Sequence, residues 1–325
     1  MMNYPRDLTG YANKKPKFLW PNDSFIAVQF VINYEEGSEN NILHGDQGSE
    51  AFLSEIIGAK SWQGQRHWNM ESIYEYGARA GFWRLREIFD AKGIPITIYG
   101  VAEALVRSPV QVKAMIDSGW EIASHGLKWI EYKDFPFTKE KQFFHKAIKL
   151  HEAVTGSKPS GWYLGRCSAN TIKIACEYGN FDYISDSYAD DLPYWYNNGS
   201  QDNLIIPYTL DVNDMRFATN QGFNSGTQFY DYLKDTFDLL YNEGQKGSPK
   251  MMTVGLHCRL AGRPGRAQAI KKFIDYIQGH KKVWCAKRID IAKFWKDKFP
   301  PRDNTIVPSK MTKSQFMSKF KNVFE

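Results

Sequence analysis

From residue 24 to residue 289 the chain alternates short apolar runs with longer helix-period segments, and this alternation most limits what it can fold into. The run SFIAVQFVINY (24–34) is β-branched and aromatic, and reads as a buried strand. Further strands are expected at 94–100, 120–126, 161–166, 181–186, 203–209, 251–257 and 283–289. Helical periods lie between them at 77–93, 109–119, 138–155, 169–179, 227–242 and 266–278. In the first of these, Phe82, Leu85, Ile88 and Phe89 share a face and Gly93 supplies the stop. Repeated βα units imply a parallel sheet, open or closed. With one-sided connections, the expectation is an α/β fold: a distorted (β/α) barrel of about seven parallel strands.

No linker rich in Pro, Gly or Ser divides the chain and no internal repeat is visible. One domain over 1–300 is expected, with a core at about 67–290 and a basic tail at 301–325. In the tail, Phe316, Phe320, Val323 and Phe324 fall on one stripe of an expected C-terminal amphipathic helix. Residues 35–70 exceed an ordinary connection; one helix is expected near 49–58 and the rest reads as a functional loop.

Charge and cysteine usage exclude several classes. The formal net charge is +6, and Lys310, Lys313, Lys319 and Lys321 supply four of those positive charges, so the body offers no basic face for nucleic acid. The apolar run 25–32 is too short to span a bilayer, and the polar start lacks a signal peptide's apolar core. Cys167, Cys176, Cys258 and Cys285 form no CxxC pair, which fits a reducing cytoplasm and argues against a zinc knuckle. GRPGR (262–266) lacks the Lys-Ser/Thr of a P-loop, and no GxGxxG occurs.

In parallel α/β architectures, chemistry sits at the C-terminal ends of strands. Here those ends carry Glu35-Glu36, His125, Arg166, Asp186 and His257 in turn. Each has a bland reading: a solvated acidic pair, a structural histidine, a locally paired arginine, a turn-capping aspartate. Their shared placement raises the set above its members, because ionisable groups converging in one mouth perturb one another as acid–base chemistry requires. Cys258 adjoins His257 on a strand and points the other way. Cys167 is the more credible thiol, though nothing demands it.

NYEEG (33–37), ASHGLKW (123–129), GRCS (165–168), SDSYADDLPYW (185–195) and GLHCRLAGRPGR (255–266) occur in the order of the motifs of polysaccharide deacetylases. The chain resembles that superfamily, with its NodB homology fold, and within it the branch of cofactor-independent bacterial allantoinases. The segments YPRDLTGY, LHGDQGSEAFLSE and MESIYEYGARAGFWR look like the same branch. Metal-dependent members end their first motif in two aspartates, a base and a metal ligand, and their second motif carries two metal-binding histidines. Here the matching positions are Glu35, Glu36 and His125, but the second histidine's place is taken by Trp129. A divalent ion would keep Glu36 and His125 and lose a third ligand, whereas a catalytic zinc takes three; Asp186 could replace it. The resemblance therefore implies no cofactor.

The activity implied is hydrolysis of a cyclic amide, allantoin to allantoate, in purine catabolism. It gives Glu35 or Glu36 the base role and His257 the proton shuttle. Arg166 and His125 would stabilise the oxyanion or hold the ureido group, and Asp186 would orient Arg166 or His257. Trp129, Tyr188, Arg259 and Arg263 would contact substrate. Only one of two adjacent glutamates faces the substrate if the strand persists through them. The alternatives are a metal-dependent polysaccharide or peptidoglycan N-deacetylase, a related cyclic-imide hydrolase, and a catalytically dead barrel. The resemblance also implies a cytoplasmic homo-oligomer, a tetramer by family likeness.

Overall fold

The computed structural model describes residues 6–12 and 14–301, so the expected tail helix lies outside the described residues. The first strand, β1 (Ile26–Tyr34), is buried along its whole length. Its residues divide by alternation. Val28, Phe30 and Ile32 face outward, into a cluster with Phe89, Phe237, Ile270 and Phe273. Ala27 and Val31 face inward, toward Tyr99, Tyr163 and Tyr208. Both faces are covered, so the run reads as continuously apolar rather than alternating.

The remaining strands are β2 (Ile96–Gly100), β3 (Glu121–Ser124), β4 (Gly161–Trp162), β5 (Tyr183–Ile184), β6 (Tyr194–Asn197), β7 (Asp202–Ile205), β8 (Lys250–His257) and β9 (Val283–Cys285). They form one sheet in the order β6-β7-β5-β4-β3-β2-β1-β8, with β9 pairing the lower part of β1. Every pairing is parallel except β6–β7. The sheet curls into a barrel-like trough with β8 at one edge and the antiparallel β6–β7 pair at the other, and the two edges are not paired to each other. A single bridge, Asn213 to Gly255, spans the seam.

Nine α-helices are described: α1 (Trp68–Tyr76), α2 (Phe82–Lys92), α3 (Ala102–Arg107), α4 (Pro109–Asp117), α5 (Phe137–Thr155), α6 (Thr171–Tyr178), α7 (Gly226–Gln245), α8 (Pro264–Gln278) and α9 (Arg288–Lys298). Gly93 ends α2 in the left-handed conformation, as its place in the sequence suggests. Between α1 and α2, Gly77–Gly81 forms one turn of π-helix. A Cβ at Gly77 would lie 2.4 Å from Glu36 Oε1, and one at Gly81 would lie 2.0 Å from the Cys258 carbonyl oxygen. This helix is therefore pressed directly onto the ends of β1 and β8.

Three expectations require correction. Residues 49–58 are not helical, because the Glu50 carboxylate accepts the N–H groups of Ala51 and Phe52, and Leu53 sits at φ 56°. The expected strand 283–289 ends at Cys285, and Arg288 begins α9 instead. The antiparallel β6 was not expected, because YWYN precedes an Asn-Gly-Ser turn with no alternating partner evident.

Helix α9 closes the bottom of the trough, and Arg288 at its start is wholly buried. Its guanidinium donates to Gln29 Oε1 (3.1 Å) and Thr253 Oγ1 (3.2 Å) on one side of the seam. On the other side it donates to Ser185 Oγ (3.0 Å) and to the carbonyls of Ile206 and Pro207. A side chain with five donors thus ties together edges that the backbone ladder leaves apart.

Candidate active site

At the carboxyl ends of the strands lies a cavity of about 330 Å³. Its wall includes Glu35, His125, His257, Trp129, Arg166 and Tyr188 among the residues singled out above. Glu36, Asp186, Arg259 and Arg263 are not part of that wall.

β1 ends at Tyr34, and the backbone turns within Glu35–Ser38, so the two glutamates part company. Glu35 is fully buried. Its Oε2 accepts from Arg259 Nη2 at 2.6 Å, while Oε1 lies 3.3 Å from His125 Nε2 and 3.5 Å from His257 Nε2. Burial alone would raise its pKa, but the charges of Arg259 and His257 outweigh it and hold the carboxyl well below the usual range. Glu36 turns away and accepts the N–H groups of Glu35 and Arg259. Burial and the Glu35 charge raise its pKa, against the opposing pull of Arg259.

His257 ends β8, in register with Asn33 of β1. Its Nδ1 donates to Asp214 Oδ1 at 2.6 Å, and its backbone N–H donates to Asp214 Oδ2 at 2.7 Å. Asp214 is wholly buried at the head of a short 3-10 turn, Asp214–Ala218, and its Oδ2 also accepts the Ala261 N–H. Burial would depress the His257 pKa, yet the charges of Asp214 and Glu35 raise it to about 9. His125 turns its Nδ1 to the Tyr163 carbonyl at 3.2 Å and stacks on the Tyr163 ring, which leaves Nε2 facing Glu35.

Arg166 lies 5.2 Å over the Trp129 ring and 5.3 Å over Phe52, with Glu50 Oε2 at 3.4 Å. Tyr188 is half exposed at the mouth, where its hydroxyl meets that of Tyr163.

The other candidates work beneath or beside the cavity. Asp186 accepts the N–H groups of Leu164 and Gly165 and the Cys167 thiol, so it shapes the turn after β4; it orients neither Arg166 nor His257. Arg259 is not a substrate contact, because its guanidinium is buried between Glu35, the Leu53 carbonyl and the Tyr74 ring. Arg263 pairs with Glu55 at 2.8 Å and stacks on Tyr76, away from the cavity. The Cys167 thiol is pushed far up by burial and by Asp186, which leaves it a poor nucleophile.

Two buried carboxylates beside the site residues carry no signal in the sequence. Asp214 sits in DVNDMRF with no local pattern, and the neighbouring Asn213–Gly255 bridge and its own bonds to His257 and Ala261 place it. Glu50 falls in 49–58, where a helix is expected and a loop is found, and that loop brings it to Arg166.

The residues do not suit the divalent ion of metal-dependent deacetylases. Trp129 occupies the second histidine's place, Glu36 points into the protein, and the Arg259 guanidinium already holds Glu35. Among the described residues no group of three His, Cys, Asp or Glu is placed to hold a metal.

Comparison with known proteins decides the family. The polysaccharide deacetylase profile matches residues 70–180. A Schizosaccharomyces pombe protein named as a polysaccharide deacetylase is 42% identical over 314 residues, covering 91% of this chain and 98% of its own. The chain belongs to the polysaccharide deacetylase family. As a polysaccharide deacetylase-family hydrolase it is similar to two solved structures, each at TM-score 0.90. One, from Pseudomonas aeruginosa PAO1 and titled a polysaccharide deacetylase, is 52% identical and covers 91% of this chain and 99% of its own. The other, titled PuuE allantoinase, is 50% identical and covers 92% of this chain and 99% of its own. The mostly parallel, curled sheet is the NodB-like fold of this family. No helix of the described residues is long and apolar enough to cross a membrane.

Proposed function

We propose that this deacetylase-family hydrolase opens the ring of a cyclic ureide, allantoin to allantoate, using side chains alone. The observation that carries the reading is the Asp214–His257–Glu35 line, with His257 and Glu35 on the cavity wall, Asp214 buried behind the imidazole and Arg259 behind the glutamate. The likeness to PuuE allantoinase over 99% of that chain supports it. So does a cavity of about 330 Å³, which is at the small end for ligand sites and suits a heterocycle better than a sugar chain.

The carboxylate of Glu35 takes a proton from water as the oxygen adds to the ring carbonyl. His125 and Arg166 face the oxyanion and the ureido arm. His257, charged below about pH 9, then gives its Nε2 proton to the departing ring nitrogen as the C–N bond breaks. Proton transfer from Glu35 to His257 across their 3.5 Å contact restores both groups, and the product acid releases its proton to solvent.

Allantoin hydrolysis by purified protein, before and after exhaustive chelation, tests this. Turnover that survives chelation is expected. Loss on chelation with rescue by zinc overturns the metal-free mechanism, and deacetylation of an N-acetylated glycan without allantoin turnover overturns the substrate.

A further inference from the structure

Asn33 and Trp129 line the cavity, and each carries one buried polar atom without a partner in the protein: Asn33 Oδ1 and Trp129 Nε1. Both side chains are more than nine-tenths buried. Folded proteins rarely leave such atoms unpaired, and a pair that persists at a cavity marks groups reserved for a ligand. One is an acceptor and the other a donor.

Both are fixed in direction. Asn33 Nδ2 donates to the Tyr208 hydroxyl at 2.8 Å and to the Leu256 carbonyl at 3.2 Å. A carbonyl only accepts, so the amide cannot be turned over and Oδ1 is the free atom. Asn33 also lies beside His257 in the β1–β8 register, next to the reacting groups. Trp129 is held by its backbone N–H to Ser38, by the bridge to Glu39 and by Arg166 over its face.

We infer that Trp129 and Asn33 read the substrate's amide groups: the indole N–H donates to a ring carbonyl, and Asn33 Oδ1 accepts from a ring N–H. The inference rests on the cyclic-ureide reading and deepens it. A substrate must then offer both a carbonyl and an unsubstituted N–H, and a ring methylated at the nitrogen that meets Asn33 is refused.

The test compares allantoin with its two ring N-methyl derivatives on the wild type, Asn33→Ala and Trp129→Phe, reading kcat and KM separately. Trp129→Phe removes an N–H that bonds nothing in the free protein and trims a buried ring, so a modest fall in melting temperature is expected while kcat/KM falls about 10- to 100-fold at a temperature where the variant is fully folded. One methyl position should cost the wild type at least tenfold, and that penalty should shrink to under threefold in Asn33→Ala. A merely structural asparagine would lower activity on all three substrates equally, and that result overturns its role. Trp129→Phe within twofold of wild type overturns the indole's role. A wild type inactive on all three rings overturns the cyclic-ureide reading itself, and is thereby distinct from a failure of the pair.

Discussion

Asp214 Oδ1 lies 2.6 Å from Nδ1 of His257, and the same carboxylate accepts the backbone N–H of His257 and of Ala261. One buried acid therefore fixes both the imidazole's tautomer and the turn that follows β8. Such a carboxylate stabilises the protonated imidazole and aims its other nitrogen.

Replacing Asp214 with Asn should accordingly act on pH as well as rate. The His257 pKa is raised to about 9 from 6.5, so its stabilising contribution is complete below about pH 6.5 and is lost as pH rises through 9. If the imidazolium is the proton donor, the alkaline limb of kcat falls near pH 9 in the wild type. In Asp214→Asn that limb should move at least one pH unit lower, with kcat reduced about 10²-fold or more. A limb that stays near pH 9 would remove Asp214 from this role.

The two adjacent glutamates should separate cleanly. Glu35→Gln removes the carboxylate that lines the cavity and should lower kcat by about 10²- to 10⁴-fold. It also leaves buried Arg259 without its shortest ion pair, so a fall in melting temperature is expected alongside. Glu36→Gln keeps only one of the two oxygens that accept the Glu35 and Arg259 amides, so some loss of stability is expected, but the side chain does not reach the cavity wall and turnover should stay within about tenfold of wild type. Steady-state rates and thermal melts of both variants decide the matter; equal loss in the two would contradict the division of labour.

Gly81→Ala tests the π-turn. The new Cβ would meet the Cys258 carbonyl oxygen at 2.0 Å, a backbone atom that cannot swing aside. The neighbouring residue is Arg259, whose guanidinium holds Glu35. Overpacking should cost about 1–3 kcal/mol in stability and lower turnover more than the melt alone explains. A variant indistinguishable from wild type by melt and rate would show that the loop yields without consequence.

Cys167→Ser should retain most of the activity, and the native thiol should resist iodoacetamide at neutral pH, because burial and Asp186 keep it protonated. Mass spectrometry of the alkylated protein gives the answer. Rapid modification of Cys167 with matching inactivation would restore the thiol as a nucleophile candidate.

The sequence made the barrel's strands and helices legible where burial was two-sided and continuous, as in β1 and β8. It also made legible the residues that end strands: Glu35, His125, Arg166 and His257 reach one cavity because parallel strands end on one side. It failed where partners lie far apart. Glu50 and Asp214 reach their sites through loops with no periodicity, and Arg259 looked like a mouth residue because nothing local reveals the carboxylate 224 positions away. Helix α9 was hidden because Arg288, a polar residue in a fully buried place, read as part of a strand.

The seam between β7 and β8 has a consequence for how such a protein changes over time. Leu210 and Met215, which line the cavity, stand outside the strands on the segment crossing that seam, on either side of the single Asn213–Gly255 bridge. Insertions or replacements among its exposed residues leave strand register intact, whereas any residue added within β1 or β8 would flip a whole strand face. Arg288 holds the sheet's edges together from below, so the fold tolerates variation in the segment above it. A lineage can thus retailor which ring fits at this wall while Glu35 and His257 stay where they are.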